Sequence, residues 1–166
     1  MELIDALREL NRAREEHRRG EKPMNVSDAM TRDVQIAKPD QTIQEAARLM
    51  ASIDAGSLPV GDKDKLVGMI TDRDIAIRAV ADGKGPDTKV RDVMSKDVKY
   101  CFEDETVEAV SRNMGDQQIR RLPVVSRDKR LVGILSLSDV AMTRDSAHAG
   151  QALKGISRPG GAHNQH

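Results

Sequence analysis

At 166 residues the chain has room for one domain or two small halves, and 27 basic against 27 acidic side chains leave a net charge of +0. No global field therefore draws nucleic acid or an anionic membrane. The two aromatic residues, Tyr100 and Phe102, are too few for the stacking platforms that single-stranded nucleic acid requires, and a lone Cys101 excludes an internal disulfide. No apolar run approaches the roughly 18 residues of a membrane span, and the charged start (Glu2, Asp5) does not read as a signal peptide, so the cytoplasm is the expected location.

In chain order, residues 1–23 open with Leu3, Ile4, Leu7 and Leu10 at helical spacing and then turn polar. They read as a short amphipathic helix or docking arm, stopped by Gly20 and Pro23. Glutamates interleave its arginines, which argues for a solvated or dimer-docking face over a nucleic-acid contact. Residues 26–30 follow as a helical turn, and 34–36 alternate like a brief strand. Thr42 and Glu45 form a capping box ahead of a helix whose apolar face is Ile43, Ala46, Ala47 and Met50. Strands at 57–60 and 66–70 flank a polar turn as a hairpin. Pro59 lacks a ladder donor, so its strand should lie at or begin a sheet edge. A helix from Thr71 carries Ile75, Ile77 and Val80 before Gly83 and Pro86.

The same order then returns. Asp28 recurs as Asp92, Thr42 as Thr106, Met50 as Met114 and Leu58-Pro59-Val60 as Leu122-Pro123-Val124, all at an offset of 64. One extra residue near Arg130 raises the offset to 65, so that Gly68 and Asp74 meet Gly133 and Asp139. The second copy predicts a strand near 98–102, a helix from Thr106 to about Gln117, strands near 122–125 and 131–135, and a helix from Ser136 to about Arg144. Each copy is thus a β-α-β-β-α unit, too small to be comfortable alone. The expected architecture is α/β in the α+β sense: repeats at 24–85 and 86–146 packed on each other with pseudo-twofold symmetry. The glycine-containing stretch 147–166 is expected to be disordered.

The chemistry concentrates in Gly68-x-x-Thr71-x-x-Asp74 and Gly133-x-x-Ser136-x-x-Asp139. A hydroxyl followed three residues later by an acid is a helix cap signature. It is also suited to a nucleotide: free N–H groups and a hydroxyl at a helix start attract phosphate, and an acid one turn on can accept from ribose hydroxyls. Glycine at the strand end would let a ligand approach the backbone. Occurrence at the same place in both copies favours a site over two coincident caps, and two related pockets over one catalytic centre.

The β-α-β-β-α order, the Gly-x-x-(Thr/Ser)-x-x-Asp endings and the paired Leu-Pro-Val resemble a tandem of cystathionine β-synthase (CBS) domains, a Bateman module, over residues 24–145. Thr71-Asp-Arg-Asp-Ile75 resembles the hypoxic-response members of that family from mycobacteria. The resemblance implies two clefts between facing sheets. In each, the hydroxyl (Thr71, Ser136) would contact phosphate or ribose and the acid (Asp74, Asp139) would hold the ribose diol. Arg121, just before Leu-Pro-Val where such members often carry arginine, and Arg120 beside it would contact phosphate, as could Arg73, though each can equally be an exposed surface residue; Ser57 is the counterpart of Arg121, so the clefts should differ. The implied function is a nonenzymatic regulatory module for AMP, ADP, ATP or S-adenosylmethionine, a homodimer that passes occupancy to a protein effector. A dimeric scaffold with degenerate pockets is the alternative. No catalytic motif, metal set or required cofactor is visible, and the histidines (His17, His148, His163, His166) lie outside the predicted core.

Overall fold

A computed structural model describes Glu9 and residues 22–143 and 147–158. The amphipathic arm expected over residues 1–23 lies almost wholly outside these described residues. A one-turn helix α1 (Val26–Ala29) leads to helix α2 (Ile43–Ser52), then strands β1 (Ser57–Asp62) and β2 (Lys65–Thr71), and a helical turn α3 (Asp72–Asp74) that runs into a π-helical segment (Ile75–Val80). A 3-10 turn (Val90–Asp92) opens the second copy, followed by β3 (Cys101–Phe102), α4 (Val107–Asp116), β4 (Arg121–Val125), β5 (Leu131–Ser136), α5 (Leu137–Ala141) and α6 (Ala147–Ile156).

β1 and β2 pair antiparallel; β4 pairs antiparallel with β5 and parallel with β3. Both hairpins carry an irregularity at the same repeat position, between Val60 and Gly61 and between Val124 and Val125. Pro59 sits opposite Met69 and Pro123 opposite Ile134. The backbones of Met69 and Ile134 bond outward, to Ser95 and Thr31, so neither proline faces a ladder acceptor on its hairpin partner. Pro123 nevertheless lies in the middle strand of its sheet, which the two-residue length of β3 permits. The expected strand at 34–36 shrinks to a single bridge, Ala37 with Val60, because Pro39 follows and offers no N–H to extend it.

Each copy lends its opening turn to the other. Val26 and Met30 complete the second copy's core, with Val107, Val110, Met114, Leu122 and Leu135, whereas Val90 and Val93 complete the first, with Ile43, Leu58, Val60 and Ile70. The backbone repeats the exchange: Thr31 and Ile134 bond each other in both directions at 2.9 Å, and Ser95 and Met69 do so at 2.8 and 3.0 Å. Gly68 and Gly133 make this possible. A Cβ on Gly68 would lie 2.5 Å from the Met94 sulfur, and one on Gly133 would lie 2.5 Å from the Met30 sulfur and 2.9 Å from the Thr31 carbonyl. The glycines therefore admit the partner repeat's methionine, where close approach by a ligand was the expectation.

Two other expectations change. Residues 147–156 are not disordered: α6 packs on α4 and α5, and burial of Ala149, Ala152 and Ile156 supplies the apolar gain that composition seemed to deny it. In the segment 75–80 the buried residue is Ala79, whereas Ile77 and Val80 are 49% and 66% exposed. The wider π turn rotates side chains off the 3.6-residue face on which the expectation rested.

The exchange predicts that Gly133→Ala will lose about 1–3 kcal/mol of stability in urea unfolding. Met30→Ala added to it should restore only part of that loss, because the Thr31 carbonyl still blocks the new methyl.

Candidate functional site

The two motifs fold identically. Thr71 (φ −120°, ψ 160°) and Ser136 (φ −108°, ψ 160°) are extended N-cap residues at the ends of β2 and β5. Asp74 N donates to Thr71 Oγ1 at 3.0 Å, and Thr71 N donates to Asp74 Oδ2 at 3.0 Å. In the second copy Asp139 N donates to Ser136 Oγ at 3.1 Å, and Ser136 N donates to Asp139 Oδ2 at 2.7 Å. The cap reading is thus correct for both. It does not decide the matter, because a third reciprocal box, Thr42 with Glu45, caps α2 away from any such opening. Thr42 also lowers the Glu45 pKa through the same backbone bond.

What distinguishes Thr71 and Ser136 is the space in front of them. One open cavity of about 1430 Å³ is walled by both repeats, where two separate clefts were expected. Six of the seven candidate residues line it: Thr71, Arg73, Asp74, Arg120, Arg121 and Ser136. Asp139 does not; its carboxylate is turned onto the Ser136 backbone and hydroxyl. The assignment of Asp139 to the cavity is therefore corrected to that of a cap. Strand register explains the neighbours. Arg121 is the cross-strand partner of Ser136, and Ser57 holds the same relation to Thr71.

The two ends of the cavity differ in chemistry. Ser136 Oγ donates to Asp139 Oδ2 at 2.7 Å and is occupied, whereas Thr71 Oγ1 donates to no group among the described residues. Asp74 keeps its second oxygen toward the opening, 3.5 Å from the Arg78 guanidinium. Among the described residues, the side chains of Arg73, Arg120 and Arg121 make no hydrogen bond or ion pair, so three unpaired guanidinium groups line the cavity alongside Asp72 and Asp74. The hydroxyl–carboxylate pair belongs to the first repeat and the adjacent arginine pair to the second.

Sequence reasoning missed several walls. Arg78 binds Ser95 Oγ at 2.9 Å and the Val93 carbonyl at 3.2 Å; its spacing of four from Asp74 was the available signal. Gln118, at φ 56°, lines the cavity and donates to the Arg158 carbonyl at 2.9 Å. Leu153 and Ile156 of α6 supply apolar wall. Nothing before Leu153 in the sequence foretold that the chain would return there.

Among the described residues no group of three or more His, Cys, Asp or Glu is placed to hold a metal ion, and no helix is long and apolar enough to cross a membrane. Tyr100 and Phe102 pack edge to face, with Lys129 4.7 Å from the Tyr100 ring centre and Arg127 4.2 Å from that of Phe102.

A duplicated α+β unit with exchanged opening turns, and a cavity walled by the two hydroxyl-bearing helix starts, defines a tandem-repeat module. Residues 26–80 and 90–144 each match the CBS domain, and the chain belongs to that family. It is 44% identical over 134 residues to the CBS domain-containing protein YhcV of Bacillus subtilis, covering 80% of this chain and 95% of that one. The crystal structure of Hypoxic Response Protein I with two coordinated zinc ions superposes with a TM-score of 0.65 at 35% identity, covering 71% of this chain and 97% of that one. The CBS domain pair of protein MJ0100, in complex with 5′-methylthioadenosine and S-adenosyl-L-methionine, gives a TM-score of 0.64 at 31% identity over 72% of this chain and 94% of that one.

Cys101 is a free cysteine buried in the core, and its thiol is pushed from 9.0 up to about 12, chiefly by burial and then by Glu105. Such a thiol stays protonated and inert. A disulfide dye at pH 8 should leave it unlabelled in the native protein and label it after denaturation. Because the folded state holds this proton more tightly, its contribution to stability is complete below pH 9 and lost as pH rises toward 12.

Proposed function

We propose that the protein is a nonenzymatic regulatory module that binds an adenosine nucleotide or related adenosyl compound in this cavity. One observation carries the reading: a free hydroxyl and a carboxylate (Thr71, Asp74) share an opening with two unpaired guanidinium groups (Arg120, Arg121). Asp74 accepts from the ribose diol, Thr71 donates to a ribose or phosphate oxygen, and Arg73, Arg120 and Arg121 take the phosphate charge. Ser136 presents the α5 start, held in place by Asp139. The cavity exceeds the few hundred to about 1,000 Å³ of ordinary small-molecule sites, so one nucleotide fits with room to spare. The MJ0100 pair, crystallised with two adenosyl compounds, supports the ligand class.

Occupancy matters to a partner only through differential affinity for two arrangements of the halves. The exchanged turns make such coupling direct: Arg78, on the first repeat, grips Val93 and Ser95 in the segment that opens the second. We place the module in the cytoplasm as a homodimer whose effector is another protein. A dimeric scaffold is the second reading, favoured by the Ser136–Asp139 pair, which is closed on itself.

Calorimetry with adenosine, AMP, ADP, ATP and S-adenosylmethionine tests the proposal. Asp74→Asn should weaken every ligand, whereas Arg121→Ala should weaken the phosphorylated ones by about 10- to 100-fold, the worth of one charge-assisted hydrogen bond, and spare adenosine. Asp139→Asn should lower stability and leave affinity within about threefold, since a cap contributes about 1 kcal/mol to the fold. Absence of heat with every compound at millimolar concentration rejects the sensor and leaves the scaffold.

A further inference from the structure

The repeat supplies an internal comparison for α6. That helix lies against α4 and α5, where it buries Ser111 to 2% exposure and where Ala149 joins the core of Met114 and Val140. Its approach is so close that a Cβ on Gly115 would lie 3.1 Å from the Ala152 Cα, and one on Gly155 would lie 2.8 Å from the Gly115 Cα. The repeat equivalents of Ser111, Met114, Gly115 and Val140 are Ala47, Met50, Ala51 and Ile75. Those four residues line an open groove of about 390 Å³ between α2 and the α3 turn. Ala47 and Ala51 are exposed where Ser111 and Gly115 are buried. The first repeat thus carries a helix berth of the kind the second repeat fills.

We propose that this groove is the docking site of the chain's own N-terminal segment, through Leu3, Leu7 and Leu10. Three features select that occupant. Ala51 stands where Gly115 lets α6 come into backbone contact, so a guest on α2 must sit farther out and fill the gap with larger side chains. Leucines spaced by four and three do so, and a second copy of the Ala- and Gly-faced α6 does not. Asp54 and Asp72 stand exposed at the groove, complementary to Arg12 and Arg14 just beyond Leu10. With residues 11–19 helical and 20–23 extended, the 13 residues between Leu10 and Met24 still span about 28 Å, close to twice the radius of gyration of about 15 Å expected for a chain of this length.

The test uses the full chain carrying Leu7→Cys and Ala51→Cys, treated with a short bismaleimide; Cys101 is buried. The expected product joins residues 7 and 51 within one chain, at monomer mass. Hydrogen exchange gives a second readout: Leu3→Asp/Leu7→Asp should expose amides of α2 and the following turn about tenfold faster, with no change in α4. A product joining two chains, through 7 and 51 or through 51 twice, puts another copy in the groove and overturns the proposal. So does the absence of any 7–51 product together with unchanged exchange in α2.

Discussion

Two glycine–methionine contacts set the geometry of the whole molecule. Because Gly68 and Gly133 have no side chain, Met94 and Met30 lie across β2 and β5, and the strands extend their bonding to Ser95 and Thr31 of the opposite repeat. Each half-sized core is then finished by residues that the sequence assigns to the other copy. Units of this length bury too little apolar surface to stand alone, and exchange solves that problem without adding chain. It also removes independence. A shift of one repeat must be felt in the opening turn of the other.

The cavity is a consequence of that arrangement. With β2 and β5 locked reciprocally, the helix starts at their ends face one opening, and hairpin register sets Ser57 beside Thr71 and Arg121 beside Ser136. Identical local folding then hosts different chemistry. The first repeat has a hydroxyl proton to spare and sets Asp74 in the cavity wall, whereas the second has spent its hydroxyl proton on its own cap and offers arginines. Duplication followed by divergence has turned two equivalent positions into complementary ends of one space. A capping box alone does not predict this, as Thr42 and Glu45 demonstrate.

The same divergence governs the outer helices. In the second copy, Gly115 and Gly155 allow α6 to cover α4 at backbone distance, and α6 reaches on to wall the cavity with Leu153 and Ile156. In the first copy Ala47 and Ala51 remain exposed. The π-helical widening at 75–80 turns Ile77 toward the cavity and leaves Val80 largely exposed. The two repeats are therefore alike in their sheets and unlike in what lies over their helices.

Much was legible from the sequence: the duplication, the α-β-β-α order shared by both copies, the caps at Thr42, Thr71 and Ser136, and six residues of the cavity wall. These are short-range features, written in spacings of two to four residues and in a repeat offset that needs no coordinates. Pairing between distant segments decided the rest. It merged two clefts into one, gave Gly68 and Gly133 to methionines, turned Asp139 inward to its own helix start, and ordered residues 147–156 by offering them a groove. Periodicity shows which face of a segment is apolar; it carries no information about which other segment will cover that face, because that is settled by contacts made across more than a hundred residues, as between Thr31 and Ile134.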